Sequence, residues 1–127
     1  MKLDHVTINV KDMEKSEWFY GEVLGLKKLD NVDMGDHELH YFSLGSDGLL
    51  ELIQYHEDTG EAHLPVKTRG IMRHLAFSTE DVDSLYRKLC DAGITVTSKP
   101  DNVEKLNFRN ILVQDPNGVE LEFVQRF

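Results

Sequence analysis

The sequence predicts an α+β protein built from two βαβββ modules that form a curved mixed sheet. Two observations predict this fold. The first is a duplication, because a phrase that opens on His5 and continues through Asp12 to Gly25 recurs from His74 onward. The second is periodicity: in each copy the apolar residues alternate, then follow helical spacing, and then alternate again between turn residues. Each copy therefore reads as a strand, a helix and three further strands.

The first module opens with a strand over residues 3–10, in which aliphatic residues alternate with polar ones from Val6 to Val10. A helix follows, with Asp12 as its N-cap and Gly25 as its end, since glycine readily adopts the left-handed geometry found after helices. Glycine-containing turns then separate three strands, predicted over residues 26–34, 38–44 and 49–55.

The polar segment 57–69 predicts a linker. It divides a single domain, residues 1–127, into module 1 over about 1–56 and module 2 over about 70–127. Module 2 is predicted to contain a strand over 70–79, a helix over 82–92 and strands over 94–97, 107–114 and 119–125. Each module is too small to bury its sheet alone, so modules of one chain or of two chains are expected to pair.

The composition excludes several classes of partner. The chain has 127 residues and a formal net charge of −9, whereas nucleic-acid recognition needs a cationic surface. No apolar run is long enough to span a membrane, and the first residues lack the apolar core of a signal peptide. The single cysteine, Cys90, is predicted to be buried and fits a reducing compartment. We therefore expect a cytoplasmic protein with a small-molecule substrate and neither a nucleic-acid nor a membrane partner.

Each module also places one histidine and one glutamate where they could bind a metal. Alternation puts His5 and His74 opposite the aliphatic residues of their strands, and it turns Glu51 and Glu122 away from their apolar neighbours. A lone histidine on a strand is usually packed or hydrogen-bonded, and the other four histidines are predicted to be surface residues. A carboxylate in an apolar strand is costly unless it is paired, and a cation would pair it. The repetition of both residues favours a metal site over packing.

The chemistry of this donor set limits which metal ions could bind. Two imidazoles and two carboxylates suit one divalent ion per site, such as Zn, Ni, Co, Fe or Mn, with positions left open for water or substrate. A bound divalent ion lowers the pKa of a C–H group next to two chelated oxygens, and a carboxylate can move the released proton. The donor set thus predicts a 1,2-proton shift.

Several stretches of the chain resemble the glyoxalase/bleomycin resistance/dioxygenase group, also called the vicinal oxygen chelate superfamily. The resemblance covers essentially the whole chain, and it is carried by residues 5–12, 18–20, 23–26, 74–77 and 115–122 together with Glu51. The histidine and glutamate set is most similar to that of the short bacterial lactoylglutathione lyases, the glyoxalase I enzymes. The resemblance implies that the metal ligands are His5, Glu51, His74 and Glu122.

The same resemblance implies a reaction and a cofactor. Enzymes of this type convert the hemithioacetal of a thiol and a 2-oxoaldehyde, such as methylglyoxal, into a thioester through an enediolate. The metal is expected to be Ni, Co or Zn, with Mn and Fe as further candidates. Glu122 is expected to be the catalytic base and Glu51 its symmetry mate. A homodimer is also implied, with each site drawing ligands from one chain or from both.

The sequence leaves the thiol and two other functions open. Asn9 stands where glutathione-using enzymes typically carry an arginine that holds the glutathione carboxylate, and Arg73, Arg109 and Lys105 are candidates to replace that charge. An isomerase similar to methylmalonyl-CoA epimerases is one alternative, although those enzymes usually carry Gln at the position of Glu51. A non-catalytic dimeric protein of the bleomycin-resistance type is another, and the net charge of −9 suits a cationic drug.

Overall fold

The computed structural model describes all residues from Met1 to Phe127 and contains two four-stranded sheets. The chain divides into two compact units, residues 1–61 and 62–127. Unit 1 contains β1 (His5–Asn9), α1 (Met13–Glu17), a π-helical segment (Trp18–Val23), β2 (Lys28–Asp33), β3 (His37–Ser43) and β4 (Leu49–Tyr55). Unit 2 contains β5 (Leu75–Ser78), α2 (Val82–Asp91), β6 (Val96–Val103), a 3₁₀ turn (Glu104–Leu106), β7 (Phe108–Gln114) and β8 (Glu120–Arg126).

The two units have the same topology. The strand order is β1-β4-β3-β2 in unit 1 and β5-β8-β7-β6 in unit 2. In each sheet the first strand runs parallel to the last, and the other neighbouring strands are antiparallel. The α+β class and the twofold βαβββ order predicted from the sequence are therefore confirmed. The assignment of both modules to a single domain stays a prediction.

One face of each sheet is covered by the helix of its own unit. In unit 1, α1 contacts β4, and in unit 2, α2 contacts β6, β7 and β8. The fully buried apolar side chains are, in unit 1, Phe19, Tyr20, Phe42, Leu50 and Leu52 and, in unit 2, Val82, Leu89, Ile111, Val113 and Leu121. Because side chains alternate along a strand, the opposite face of each sheet presents the candidate ligands. None of the helices is long and apolar enough to cross a membrane.

α1 begins at its predicted cap, Asp12, and α2 begins at the matching aspartate of unit 2, Asp81. The side chain of Asp12 accepts a hydrogen bond from the backbone N–H of Lys15, and that of Asp81 accepts one from Ser84. Each cap satisfies a backbone donor that has no partner within the helix. These matched caps repeat the same local chemistry at the same place in both units.

The first helix differs from its prediction, because its second half is π-helical. The N–H of Leu24 donates to the carbonyl of Phe19, five residues back, at 2.9 Å. In this segment the helix passes close to the sheet, since a Cβ added at Gly21 would lie 3.2 Å from Cε1 of Phe42. Gly25 ends the helix with φ of 74°, in the left-handed region.

Unit 2 differs from its prediction at two strands and one side chain. β5 begins only at Leu75, and β6 continues past the predicted residues 94–97 to Val103. β6 contains Pro100, and it lies at the edge of its sheet, where a missing backbone donor is tolerated. Cys90 was expected to be buried and is exposed, because it lies on the outer side of α2.

Candidate metal centre

Glu51 lies in the middle of β4 and is held from both sides by hydroxyl groups. Its cross-strand partners are Thr7 on β1 and Tyr41 on β3. The hydroxyl of Thr7 donates to Oε1 of Glu51 at 2.9 Å, and the hydroxyl of Tyr41 donates to Oε2. The hydrogen bond to Glu51, with burial and the nearby charges of Glu51 and Asp4, raises the pKa of Tyr41 to about 12. Both carboxylate oxygens are therefore oriented by neutral donors.

His5 opens β1 on the face that carries Glu51. It pairs with Leu49, two residues before Glu51, so the two candidate ligands lie on one side of adjacent strands. Nδ1 of His5 donates to the carboxylate of Asp4 at 2.6 Å, and this hydrogen bond raises the pKa of His5, with smaller contributions from the charges of Glu51 and Asp4. Because Asp4 takes Nδ1, Nε2 is the ring nitrogen left for a metal.

In unit 2 the histidine and the glutamate are in direct contact. His74 immediately precedes β5, and its Nε2 lies 3.1 Å from Oε2 of Glu122. The other carboxylate oxygen accepts a hydrogen bond of 2.7 Å from Nδ2 of Asn110. Nδ1 of His74 is buried and has no hydrogen-bond partner. The ring is therefore oriented so that only Nε2 is available to a ligand.

The two glutamates occupy equivalent places but have different neighbours. β4 and β8 share one pattern of burial along their lengths, with the glutamate third in each strand. The positions of unit 2 that match Thr7 and Tyr41 carry Ala76 and Leu112, which pair with Glu122 in register. Neither side chain can donate a hydrogen bond, so Glu122 has no counterpart of the two hydroxyls around Glu51.

The four sequence-derived ligands are thus found as two pairs. His74 and Glu122 are in contact, while His5 and Glu51 share a face without a direct hydrogen bond. No three His, Cys, Asp or Glu side chains form a group that could hold a metal ion. The set itself fits a divalent ion, because it offers two imidazole Nε2 atoms and two carboxylates. The four-ligand centre stays a prediction.

Arg73 and Arg109, the two arginines that could bind the carboxylate of a thiol, each form a hydrogen bond to an acidic side chain. The guanidinium of Arg109 donates to both carboxylate oxygens of Asp83 at 2.9 Å and to the side chain of Asn102 at 3.0 Å. This pairing lowers the pKa of Asp83. Arg73 donates to Glu120 at 2.5 Å and remains half-exposed beside His74. Arg109 therefore joins α2 to the sheet, whereas Arg73 keeps an accessible side.

The sequence pattern did not predict the role of several residues near the site. Thr7 and Asn110 are ordinary strand residues whose importance depends on the register of neighbouring strands. Tyr41 is an aromatic strand residue, and such residues are more often part of a core than of a site. His40 was expected at the surface, but its side chain is only 13% exposed and bonds to Glu17 of α1. The acidic partner comes from a distant part of the chain, which strand alternation does not indicate.

A groove of about 760 Å³ lies elsewhere in unit 1. It runs along the helix and is lined by acidic side chains, two lysines and the exposed indole of Trp18. None of the four candidate ligands lines it. The groove is therefore separate from the candidate centre.

Comparison with known proteins gives one family. The model of the Glyoxalase/Bleomycin resistance protein/Dioxygenase superfamily matches residues 2–123. The uncharacterized protein YwbC of Bacillus subtilis is 30% identical over 129 residues, which cover 98% of each chain. A probable lactoylglutathione lyase of Synechocystis sp. is 28% identical over 98% of this chain and 95% of its own. The solved trypanothione-dependent glyoxalase I of Leishmania major has a TM-score of 0.77 at 25% identity, over 98% of this chain and 86% of that one.

Proposed function

This chain belongs to the glyoxalase/bleomycin resistance protein/dioxygenase superfamily, and we propose that it is a metal-dependent lyase of the glyoxalase I type. It converts the hemithioacetal of a thiol and a 2-oxoaldehyde, such as methylglyoxal, into a thioester. The observation behind this proposal is the repeated pairing of a histidine with a glutamate, most directly the 3.1 Å contact of His74 with Glu122. Relatives named lactoylglutathione lyase support the reaction class.

The four donors are proposed to hold one divalent metal per site, and the ligands are His5, Glu51, His74 and Glu122. Each histidine offers Nε2, because Asp4 occupies Nδ1 of His5 and Nδ1 of His74 is buried. Ni, Co and Zn are the leading candidates, and Mn and Fe follow. When bound, the metal supplies positive charge that stabilises the enediolate as the proton leaves the substrate.

Glu122 is proposed to move the proton. Its carboxylate removes the proton from the carbon that carries sulfur and hydroxyl, and returns it to the neighbouring carbonyl carbon. The proton of the substrate hydroxyl passes to the former carbonyl oxygen, so the first carbon becomes the thioester carbonyl and the second carries the hydroxyl. Substrate and product have the same atoms, so the reaction needs no oxidant and no second substrate. Asn110 orients the carboxylate by its hydrogen bond to Oε1. His5 and His74 act as neutral ligands.

The identity of the thiol in the substrate needs an experiment of its own. Asn9 is exposed at the end of β1, and Arg109 is committed to Asp83. Arg73 and Lys105 are the remaining candidates to bind a thiol's carboxylate, since Arg73 is half-exposed and Lys105 is exposed. The Leishmania major enzyme is trypanothione-dependent by name, which supports testing thiols other than glutathione. Glutathione, trypanothione and 2-mercaptoethanol form a suitable panel.

A homodimer is proposed as well, and subunit mixing tests how its sites are built. Glu51→Gln and Glu122→Gln proteins are mixed and allowed to exchange subunits. If a centre combines unit 1 of one protomer with unit 2 of its partner, one centre of each mixed dimer regains four intact ligands. Activity then returns to the mixture. If each centre lies within one protomer, every centre keeps a damaged ligand and no activity returns.

The function itself is tested with metal-free protein reloaded with Ni, Co, Zn or Mn in turn. Conversion of each methylglyoxal hemithioacetal is followed by ultraviolet absorbance, with Glu122→Gln as the control. We expect turnover in at least one metal form and its loss in the control. Stoichiometric metal binding without turnover on any thiol would refute the lyase and favour an epimerase-like reaction. Failure to bind metal would refute a metal enzyme and favour a binding protein.

The single cysteine favours a cytoplasmic location.

A further inference from the structure

The two glutamates that the repeat makes equivalent are restrained to different degrees. Both oxygens of Glu51 accept hydroxyl hydrogen bonds, one from Thr7 on β1 and one from Tyr41 on β3. These donors come from the strands on either side, so the carboxylate is held across the full width of three strands. Any movement of Glu51 away from its place breaks two hydrogen bonds to a charged acceptor.

Glu122 has a weaker restraint. Ala76 and Leu112 stand at the matching positions and donate nothing. The remaining contacts are one amide hydrogen bond from Asn110 and the imidazole of His74. When Nε2 of His74 binds a metal, it no longer donates to Glu122, so a single neutral hydrogen bond is left. Movement of Glu122 therefore breaks fewer bonds than movement of Glu51.

We propose that Tyr41 and Thr7 are positioning residues that keep Glu51 a fixed carboxylate ligand, an inference that rests on the proposed function. The absence of hydroxyls at Ala76 and Leu112 leaves Glu122 as the carboxylate that can leave its place and carry the proton. A symmetric pair of glutamates is thereby divided into one ligand and one mobile base. The division is made by the residues across each strand, because the glutamates themselves are identical.

Removal of the hydroxyls tests the first half of the proposal. Tyr41→Phe and Thr7→Val keep size and shape and delete one donor each. We expect each variant to bind Co²⁺ about tenfold more weakly, the effect of losing one hydrogen bond to a charged group. Affinity is measured by competition with a chelator, and the visible absorption of bound Co²⁺ reports its ligand set. Tyr55→Phe, an exposed tyrosine on β4, is the matched control and should change neither readout.

Transfer of a hydroxyl to the other glutamate tests the second half. Leu112→Tyr places a phenol at the position that matches Tyr41, and Leu112→Phe adds the same ring without the hydroxyl. We expect kcat to fall about tenfold in Leu112→Tyr relative to Leu112→Phe, with Co²⁺ affinity unchanged or tighter. Melting temperatures of the metal-free proteins verify that all variants fold.

The outcomes separate this inference from the proposed function. Unchanged Co²⁺ affinity and absorption in both Tyr41→Phe and Thr7→Val would overturn the positioning role. Equal kcat in Leu112→Tyr and Leu112→Phe would overturn the assignment of mobility to Glu122. If the wild type binds Co²⁺ but converts no hemithioacetal, the lyase is wrong, and the Co²⁺ measurements still decide whether Tyr41 and Thr7 hold Glu51.

Discussion

Asp115 is the one buried charged side chain of the chain, at 5% exposure, and its replacement should destabilise the turn before β8. Its Oδ1 accepts the backbone N–H groups of Asn117 at 2.8 Å and of Val119 at 2.9 Å. Its Oδ2 accepts the side-chain amide of Asn117 at 3.0 Å. The turn leads directly into the strand that carries Glu122, so its geometry supports the candidate centre.

The magnitude follows from the two backbone donors. Asp115→Ala leaves both N–H groups without an acceptor, and a donor deprived of its partner costs about 1–3 kcal/mol. Asn117 and Val119 are half-buried, which lets water reach them and favours the lower half of that range, about 1.5 kcal/mol each. We expect the free energy of unfolding to fall by about 3 kcal/mol. With an unfolding entropy of about 2.1 cal/mol/K per residue, the melting temperature should fall by roughly 10 °C.

Urea unfolding of the metal-free protein measures this change. Asp115→Asn is the matched control, since its amide oxygen can still accept from the backbone, and it should lose about 1 kcal/mol. The slope of the unfolding free energy against urea should stay constant, because the surface exposed on unfolding is the same. If Asp115→Ala unfolds within 0.5 kcal/mol of the wild type (roughly the effect of an ordinary surface substitution), the side-chain cap does not stabilise this turn.

Three further predictions concern charge, backbone and metal. Arg109 lowers the pKa of Asp83, so their pairing is fully present above about pH 4 and is lost as pH falls through the lower folded-state pKa. Asp83→Asn should therefore lose less stability than the wild type between pH 6 and pH 3 in urea titrations, and equal losses would contradict the pairing. Gly25 has φ of 74°, so Gly25→Ala should lower the unfolding free energy by about 1 kcal/mol in urea unfolding. Gly25→Asn should lower it by less. An unfolding free energy of Gly25→Ala equal to that of the wild type would contradict backbone strain at this position. Free Ni²⁺ at about 100 times its Kd should stabilise the wild type by about 2.7 kcal/mol in thermal unfolding, and Glu122→Gln by clearly less.

The order of elements and the faces of the candidate ligands could be predicted from the sequence alone. Alternation along β1 and β4 placed His5 and Glu51 opposite the buried side chains, and the structure keeps them there. The repeat also predicted Asp12 as a cap and Gly25 as a helix end, and both are confirmed. These features depend on residues only a few positions apart, so the local sequence is sufficient to predict them.

What surrounds each ligand was decided only by tertiary structure. Tyr41 reaches Glu51 because β3 and β4 pair in one particular register, and a shift by one residue would turn its hydroxyl to the other face. Arg109 meets Asp83 of α2, and His40 meets Glu17 of α1, through packing of distant segments. Sequence periodicity specifies the face on which a side chain lies. Its hydrogen-bond partners depend on strand register and helix packing, which are set by contacts across the whole unit.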